Sequence, residues 1–324
     1  MFSLQEIRRA HEVVLGALRP APALNWPLLD ERLGAEAVVK HENHMPTGAF
    51  KVRGGLTFVD SLIKREPMTP GLISATRGNH GQSLAFAGRR AGLRVTILVP
   101  QGNSTEKNAA MRALGAELIE FGRDFQAARE EAMRLASSHG LHLVPSFHRD
   151  LALGVSTYAL ELLSERPDLD VLYVPIGQGS GICGCIAVRD ALGLRTEIVG
   201  VQSMEAPAYS LSFAAGRVVT TGSAETLADG MATRVPDQEA LEVILKGAAR
   251  ITLVSDEEVA AAVRAYWTDT HNLAEGAGAA ALAAAVKERP RLKGRKIGLV
   301  LSGGNIDFDL FRRWVVAAPS AVAA

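Results

Sequence analysis

Leu72-Ile73-Ser74-Ala75-Thr76-Arg77-Gly78-Asn79-His80-Gly81-Gln82 contains the change of pattern that decides the fold. Residues 72–75 form a short apolar strand, residues 76–78 a polar turn, and residues 79–90 a helix. The unit then recurs. Val95-Thr96-Ile97-Leu98-Val99 is closed by Pro100 and followed by a helix over 104–114. Glu117-Leu118-Ile119 precedes a helix over 125–137, and His142-Leu143-Val144 closes the series. Short buried strands alternating with helices predict a parallel sheet covered on both faces, the α/β class.

A second series begins at Val171-Leu172-Tyr173-Val174-Pro175, followed by a helix from about Gly181. Glu197-Ile198-Val199-Gly200-Val201 is the next strand, with an irregular region after it. Ile297-Gly298-Leu299-Val300-Leu301 is another, preceded by a helix over 275–287. Ala37-Val38-Val39 joins this second sheet if it pairs there. The polar motifs of both series fall at strand C-terminal ends, where open α/β sheets bind ligands. No internal repeat, low-complexity linker or charge block interrupts the chain.

Composition narrows the function. Lysine plus arginine and aspartate plus glutamate each number 35 in 324 residues, so no basic field points to nucleic acid. Cys183 and Cys185, the two cysteines, are separated by one residue, a poor geometry for a disulfide, so a reducing cytoplasm is expected. The first ten residues carry charges and no long apolar core, unlike a signal peptide, and the alanine-rich run 277–286 is too short to span a bilayer.

Four segments carry chemistry. Pro46-Thr47-Gly48-Ala49-Phe50-Lys51-Val52-Arg53-Gly54 sets a lysine among small residues at a helix start, where lost solvation lowers its pKa and makes it an amine nucleophile or base. Gly177-Gln178-Gly179-Ser180-Gly181-Ile182-Cys183-Gly184 can converge backbone N–H groups on a phosphate, or simply pack a helix tightly on a sheet. Glu197 stands about twenty residues past Gly177 but only imitates the acidic ribose partner of a dinucleotide fold. The 76–80 turn reads either as a helix cap, with Thr76 and Asn79 as ordinary capping residues, or as a carboxylate-binding loop. Ser302-Gly303-Gly304-Asn305 offers a hydroxyl that bonds a ring nitrogen or caps the turn.

Together with Leu227-Ala228-Asp229-Gly230 and Glu275-Gly276-Ala277-Gly278, these motifs resemble, in order and spacing over residues 40–307, the fold-type II pyridoxal-phosphate enzymes of the threonine/serine dehydratase and serine racemase family. The resemblance implies two open parallel-sheet α/β domains with pyridoxal 5'-phosphate in the cleft. Residues 1–52 and 149–324 would form the large cofactor-binding domain and residues 53–148 a small domain that closes on substrate. Lys51 would hold the cofactor as a Schiff base and then move the substrate Cα proton. Phe50 would pack near the ring, Asn79 bond its phenolic oxygen, and Gly177, Gly179, Ser180 and Gly181 cradle the phosphate. Ser302 would face the pyridine nitrogen. Thr76, Arg77, Gly78, Asn79 and His80 would close on the substrate, and Glu275 would approach the site. A homodimer is implied as well.

Departures from the family pattern refine the expectation. Ala49 stands where a serine is common, and Ser180 and Gly181 interrupt a run of glycines, adding a hydroxyl donor. Arg77 replaces the serine that racemases use to reprotonate Cα, and an arginine is a poor acid–base group at neutral pH. It would contact cofactor or substrate, or turn to solvent. Gln202 and Ala208 replace carboxylates of a divalent-cation site, which leaves Glu205 and no expected metal. The end of the sequence at Ala324 leaves no room for a regulatory domain, which suggests a catabolic enzyme. The expected activity is dehydration and deamination of L-threonine, with L-serine slower. L-threo-phenylserine is the alternative substrate, and racemisation, β-replacement and a non-catalytic ligand-binding role are the rivals.

Overall fold

The computed structural model of the chain describes residues 1–316. Among the described residues, ten strands form two sheets. In chain order they are β1 (Ala23–Asn25), β2 (Glu36–His41), β3 (Gly71–Ala75), β4 (Arg94–Val99), β5 (Glu117–Glu120), β6 (His142–Leu143), β7 (Val171–Pro175), β8 (Glu197–Ser203), β9 (Ala248–Val254) and β10 (Lys296–Leu301). The larger sheet has the order β1-β2-β10-β7-β8-β9, parallel except for β1. The smaller sheet, β5-β4-β3-β6, is wholly parallel. The 37–39 run does pair into the larger sheet, Ala37 opposite Ile297 and Val39 opposite Leu299.

Two strands escaped the sequence reading. β9 is a half-buried edge strand with little apolar continuity, and β1 is three residues long. The stretch after β8, expected to be irregular, first forms the helix Ala208–Ala215 and only then loses regular structure.

Small residues let helices lie close to the larger sheet and so place the strand ends. The helix Gly276–Lys287 buries alanines from 279 to 281 and from 283 to 285, and its Gly278 lies so near the loop after β10 that a Cβ would sit 2.2 Å from the Gly303 carbonyl. On the other face, the helix Arg149–Glu165 touches the helix Lys51–Arg65 where a Cβ on Gly154 would meet the Arg53 carbonyl at 2.3 Å. Burying alanine and leucine against these sheets supplies most of the driving force, about 25 cal/mol per Å² of apolar surface.

Beneath that crossing lies a buried charge cluster that the sequence did not reveal. Arg53, fully buried, donates to Glu42 at 2.8 and 2.9 Å and to Glu161 at 2.7 and 2.8 Å. Lys40 donates to Glu161 at 2.5 Å. Two cations meet two carboxylates, with the His11 imidazole also on Glu161 at 3.1 Å, and the cluster ties β2 to both helices. Among the described residues, no helix is long and apolar enough to cross a membrane.

Candidate active site

The ends of β2, β3, β7 and β10 converge on one cleft. Lys51 opens its helix, capped by Phe50 and not by a polar side chain. Phe50 is pinned by its N–H to the Ser302 carbonyl, 3.0 Å, and Ala49 bridges to Gly303. The lysine is thereby hung on the end of β10. Its Nζ donates to Ser180 Oγ at 3.4 Å and lies 5.1 Å from the Phe50 ring centroid. Burial lowers the Lys51 pKa to about 8, with Glu275 opposing the fall. The Phe50 ring itself packs edge-on against Tyr158.

The glycine loop runs directly out of β7. Gly179 has φ +98°, in the left-handed region, and caps the helix Ser180–Ala191. A Cβ there would lie 2.8 Å from that of Ala240, and one on Gly177 would lie 2.3 Å from the Gly230 carbonyl. A side chain at either position would force the loop to shift. Among the described residues, the N–H groups of 177–181 find no acceptor within the protein, so they converge at a helix N-terminus as an anion cradle. Gly181 is held from behind, its carbonyl accepting from Tyr158 Oη at 3.2 Å.

In the 76–80 turn, Gly78 is the helix cap, and Thr76 Oγ1 accepts from the Gly78 N–H at 3.1 Å. Asn79 does not cap at all, contrary to the simplest local reading. Its Nδ2 donates to Glu275 Oε1 at 2.6 Å and its Oδ1 accepts from Asn305 Nδ2 at 2.8 Å, which leaves one amide N–H for a ligand. Glu275 is buried with Oε2 unpartnered. Burial raises its pKa to about 7, against the pull of Lys107. His80 is also buried with Nε2 unpartnered, and burial, then Lys51, lowers its pKa to about 3, so the imidazole is neutral. Arg77 is brought to none of these groups. Its side chain is exposed.

Ser302 is buried at the end of β10, and its carbonyl takes the Phe50 N–H. Gln202 uses its amide oxygen to accept from the Ser210 N–H, 2.9 Å, and Ala208 is buried, so the donor set there suits a helix cap and not a hard cation. Cys183 and Cys185 are both free and buried.

The sequence reading missed Ser146 and Lys107. Ser146 shares a small cavity with Lys51, Gly54, His80, Leu151, Val155 and Ser180. It follows a two-residue strand, and no pattern marks it. Lys107 is buried and pairs with Asp229 at 2.5 Å. A lysine in an otherwise amphipathic helix reads as a solvated charge.

A buried amine, an anion cradle and a free amide N–H fit pyridoxal phosphate: an aldehyde-bearing ring with a phosphate and a phenolic oxygen. Residues 14–303 match the family model for pyridoxal-phosphate dependent enzymes. An L-threonine ammonia-lyase of Geobacter sulfurreducens is 37% identical over 93% of this chain and 75% of its own length. An L-threo-3-hydroxyaspartate ammonia-lyase of Saccharomyces cerevisiae is 32% identical over 90% of this chain and 89% of its own. The crystal structure of T.th. threonine deaminase superposes with a TM-score of 0.89 at 30% identity, over 95% of this chain and 99% of that one. The chain belongs to the pyridoxal-phosphate-dependent enzymes, among the fold-type II lyases of threonine/serine dehydratase type, and its cofactor is pyridoxal 5'-phosphate.

Proposed function

We propose that this chain is an ammonia-lyase that converts a 3-hydroxy-2-amino acid, L-threonine first and L-serine more slowly, to a 2-oxo acid and ammonia. The observation that carries the reading is the buried Lys51 amine, lowered to about 8 and 3.4 Å from Ser180 at the mouth of the anion cradle.

The chemistry the cofactor supplies is withdrawal of electron density from the substrate's α-carbon. In this reading the N–H groups of 177–181 and Ser180 hold its phosphate, the free N–H of Asn79 meets its phenolic oxygen, and Ser302 faces its ring nitrogen. A hydroxyl there leaves that nitrogen unprotonated and the electron sink weaker, which suits a reaction whose leaving group quickly removes the charge. The backbone of residues 76–80 binds the substrate carboxylate. Lys51 takes the Cα proton, the Cβ–O bond breaks, and the oxygen leaves as water after gaining a proton. The enamine released hydrolyses to the 2-oxo acid and ammonia. Arg77 is exposed, and an arginine is a poor acid–base group at neutral pH, which disfavours racemisation.

Threonine is favoured over 3-hydroxyaspartate because the cavity beside Lys51 is walled by Gly54, Leu151, Val155, the hydroxyls of Ser146 and Ser180 and the neutral His80, with no second cation in that lining to meet a side-chain carboxylate. L-threo-phenylserine is the rival substrate. Comparing kcat/KM for threonine, serine, threo-3-hydroxyaspartate and threo-phenylserine tests the choice, and a clear preference for either of the last two would overturn it. The same reading takes residues 53–148 as the lobe that closes on the rest. It also carries a homodimer, which sedimentation would check, and a reducing cytoplasmic setting that suits the two free thiols.

A further inference from the structure

Lys107 lies in the helix Thr105–Ala113, which packs on the smaller sheet, yet its nitrogen pairs with Asp229 in the turn Asp229–Met231 beside the larger one. Its stem covers the substrate loop, since a Cβ on Gly78 would lie 2.6 Å from Lys107 Cδ. The far side of the pair reaches the phosphate cradle, because the Gly230 carbonyl presses against Gly177. Gly78, Lys107, Asp229, Gly230 and Gly177 thus form one continuous run of contacts between the two ligand-binding loops.

Neighbouring bonds close the same seam. Ser104 Oγ donates to Asp307 at 2.5 Å, and the Phe308 N–H donates to Glu106 at 2.9 Å. Lys107 is nine-tenths buried and paired with Asp229, and the nearby acidic groups of Glu275 and Asp307 also favour its charge. A buried lysine keeps its charge only when paired in this way. The charge is therefore tied to the closed arrangement: opening the seam separates it from its partners.

We propose that Lys107 is a positioning residue that, through Asp229, holds the 76–80 loop shut against the phosphate cradle and so sets substrate affinity. The inference rests on the proposed lyase reading for its kinetic consequence, and not for the bridge itself.

The test is a double-mutant cycle on the holoenzyme with Lys107→Met, which keeps the stem over Gly78, and Asp229→Asn. Each single change is expected to raise KM about tenfold or more, with a smaller change in kcat, and the double variant to be no worse than the poorer single. Backbone hydrogen exchange at residues 76–80, measured without substrate, should quicken about tenfold in the single variants, while the cofactor absorbance band persists. Lys107→Arg keeps the charge and should recover most of the affinity; it and the double variant carry the test if Lys107→Met does not fold. Losses that multiply in the double variant, a fall in kcat at constant KM, or unaltered exchange would overturn the proposal. If wild-type protein turns over no hydroxy amino acid, the lyase reading fails, and the exchange measurement still decides the bridge.

Discussion

Lys51 Nζ donates to Ser180 Oγ across 3.4 Å, so the buried amine and the first residue of the helix behind the glycine loop meet at one point. They are 129 residues apart in sequence. The amine can therefore reach a cofactor whose phosphate is seated on that helix N-terminus, and the expectations for its chemistry follow from its environment.

Only the neutral amine attacks an aldehyde. Because burial lowers Lys51 to about 8, covalent uptake of cofactor by the cofactor-free protein should quicken about tenfold per pH unit below 8 and level off above it. Stopped-flow absorbance from acid to alkaline pH reads this directly. A rate still climbing well above pH 8 would mean that the amine sits at its ordinary value.

Gly179→Ala should weaken cofactor binding and spare the fold. Its φ of +98° costs an L-residue about 1–2 kcal/mol, and the new methyl meets Ala240 at 2.8 Å. The loop must shift, and the dissociation constant of pyridoxal phosphate should rise about tenfold or more. Fluorescence titration measures it, and an unchanged constant would remove residue 179 from the cradle.

Glu275 gives a stability prediction with a definite sign. Burial raises its pKa to about 7, from an ordinary value of 4.5, so the folded state favours the protonated acid. That contribution is whole below pH 4.5 and is lost as pH rises through 7. Glu275→Gln keeps an acceptor for Asn79 and has nothing to titrate. Its melting temperature should therefore gain on that of the wild type between about pH 5 and about pH 8. A constant or shrinking difference in thermal melts would contradict the assignment.

How much of this was legible in the sequence depended on distance along the chain. The strand-turn-helix units at 72–90 and 171–191 announced themselves because a parallel strand buried on both faces is a continuous apolar run, and glycines mark its end. The Lys51 segment and the 177–181 loop were found the same way. The partner of Asn79 was not, because Glu275 is 196 residues away and a capping role accounted for the asparagine locally. The pairing of Lys107 with Asp229 was not legible either: the two are 122 apart, Lys107 carries no motif, and the motif around Asp229 names no partner. For Arg77 the sequence leaves open a ligand contact or a turn to solvent, and the side chain is exposed.

Arg53→Met should be among the most damaging changes away from the ligand site. It leaves Glu42 buried without its side-chain partner and Glu161 with only Lys40 and His11, a loss of about 3–5 kcal/mol. Adding Glu42→Gln should recover part of that loss, since one uncompensated charge disappears. Chemical denaturation of the single and double variants checks both statements. A single-variant loss below about 1 kcal/mol would mean that the cluster is solvated as a surface pair is.

The most direct test of the proposed reaction is release of 2-oxo acid and ammonia from L-threonine by the cofactor-loaded protein, with Lys51→Ala alongside. Equal amounts of the two products are expected from the wild type. The variant should lack the lysine-bound absorbance band and lose activity by about a thousandfold or more. Absence of lysine-dependent release from threonine, serine, 3-hydroxyaspartate and phenylserine alike would contradict the reading, leaving the fold and cofactor standing without this reaction.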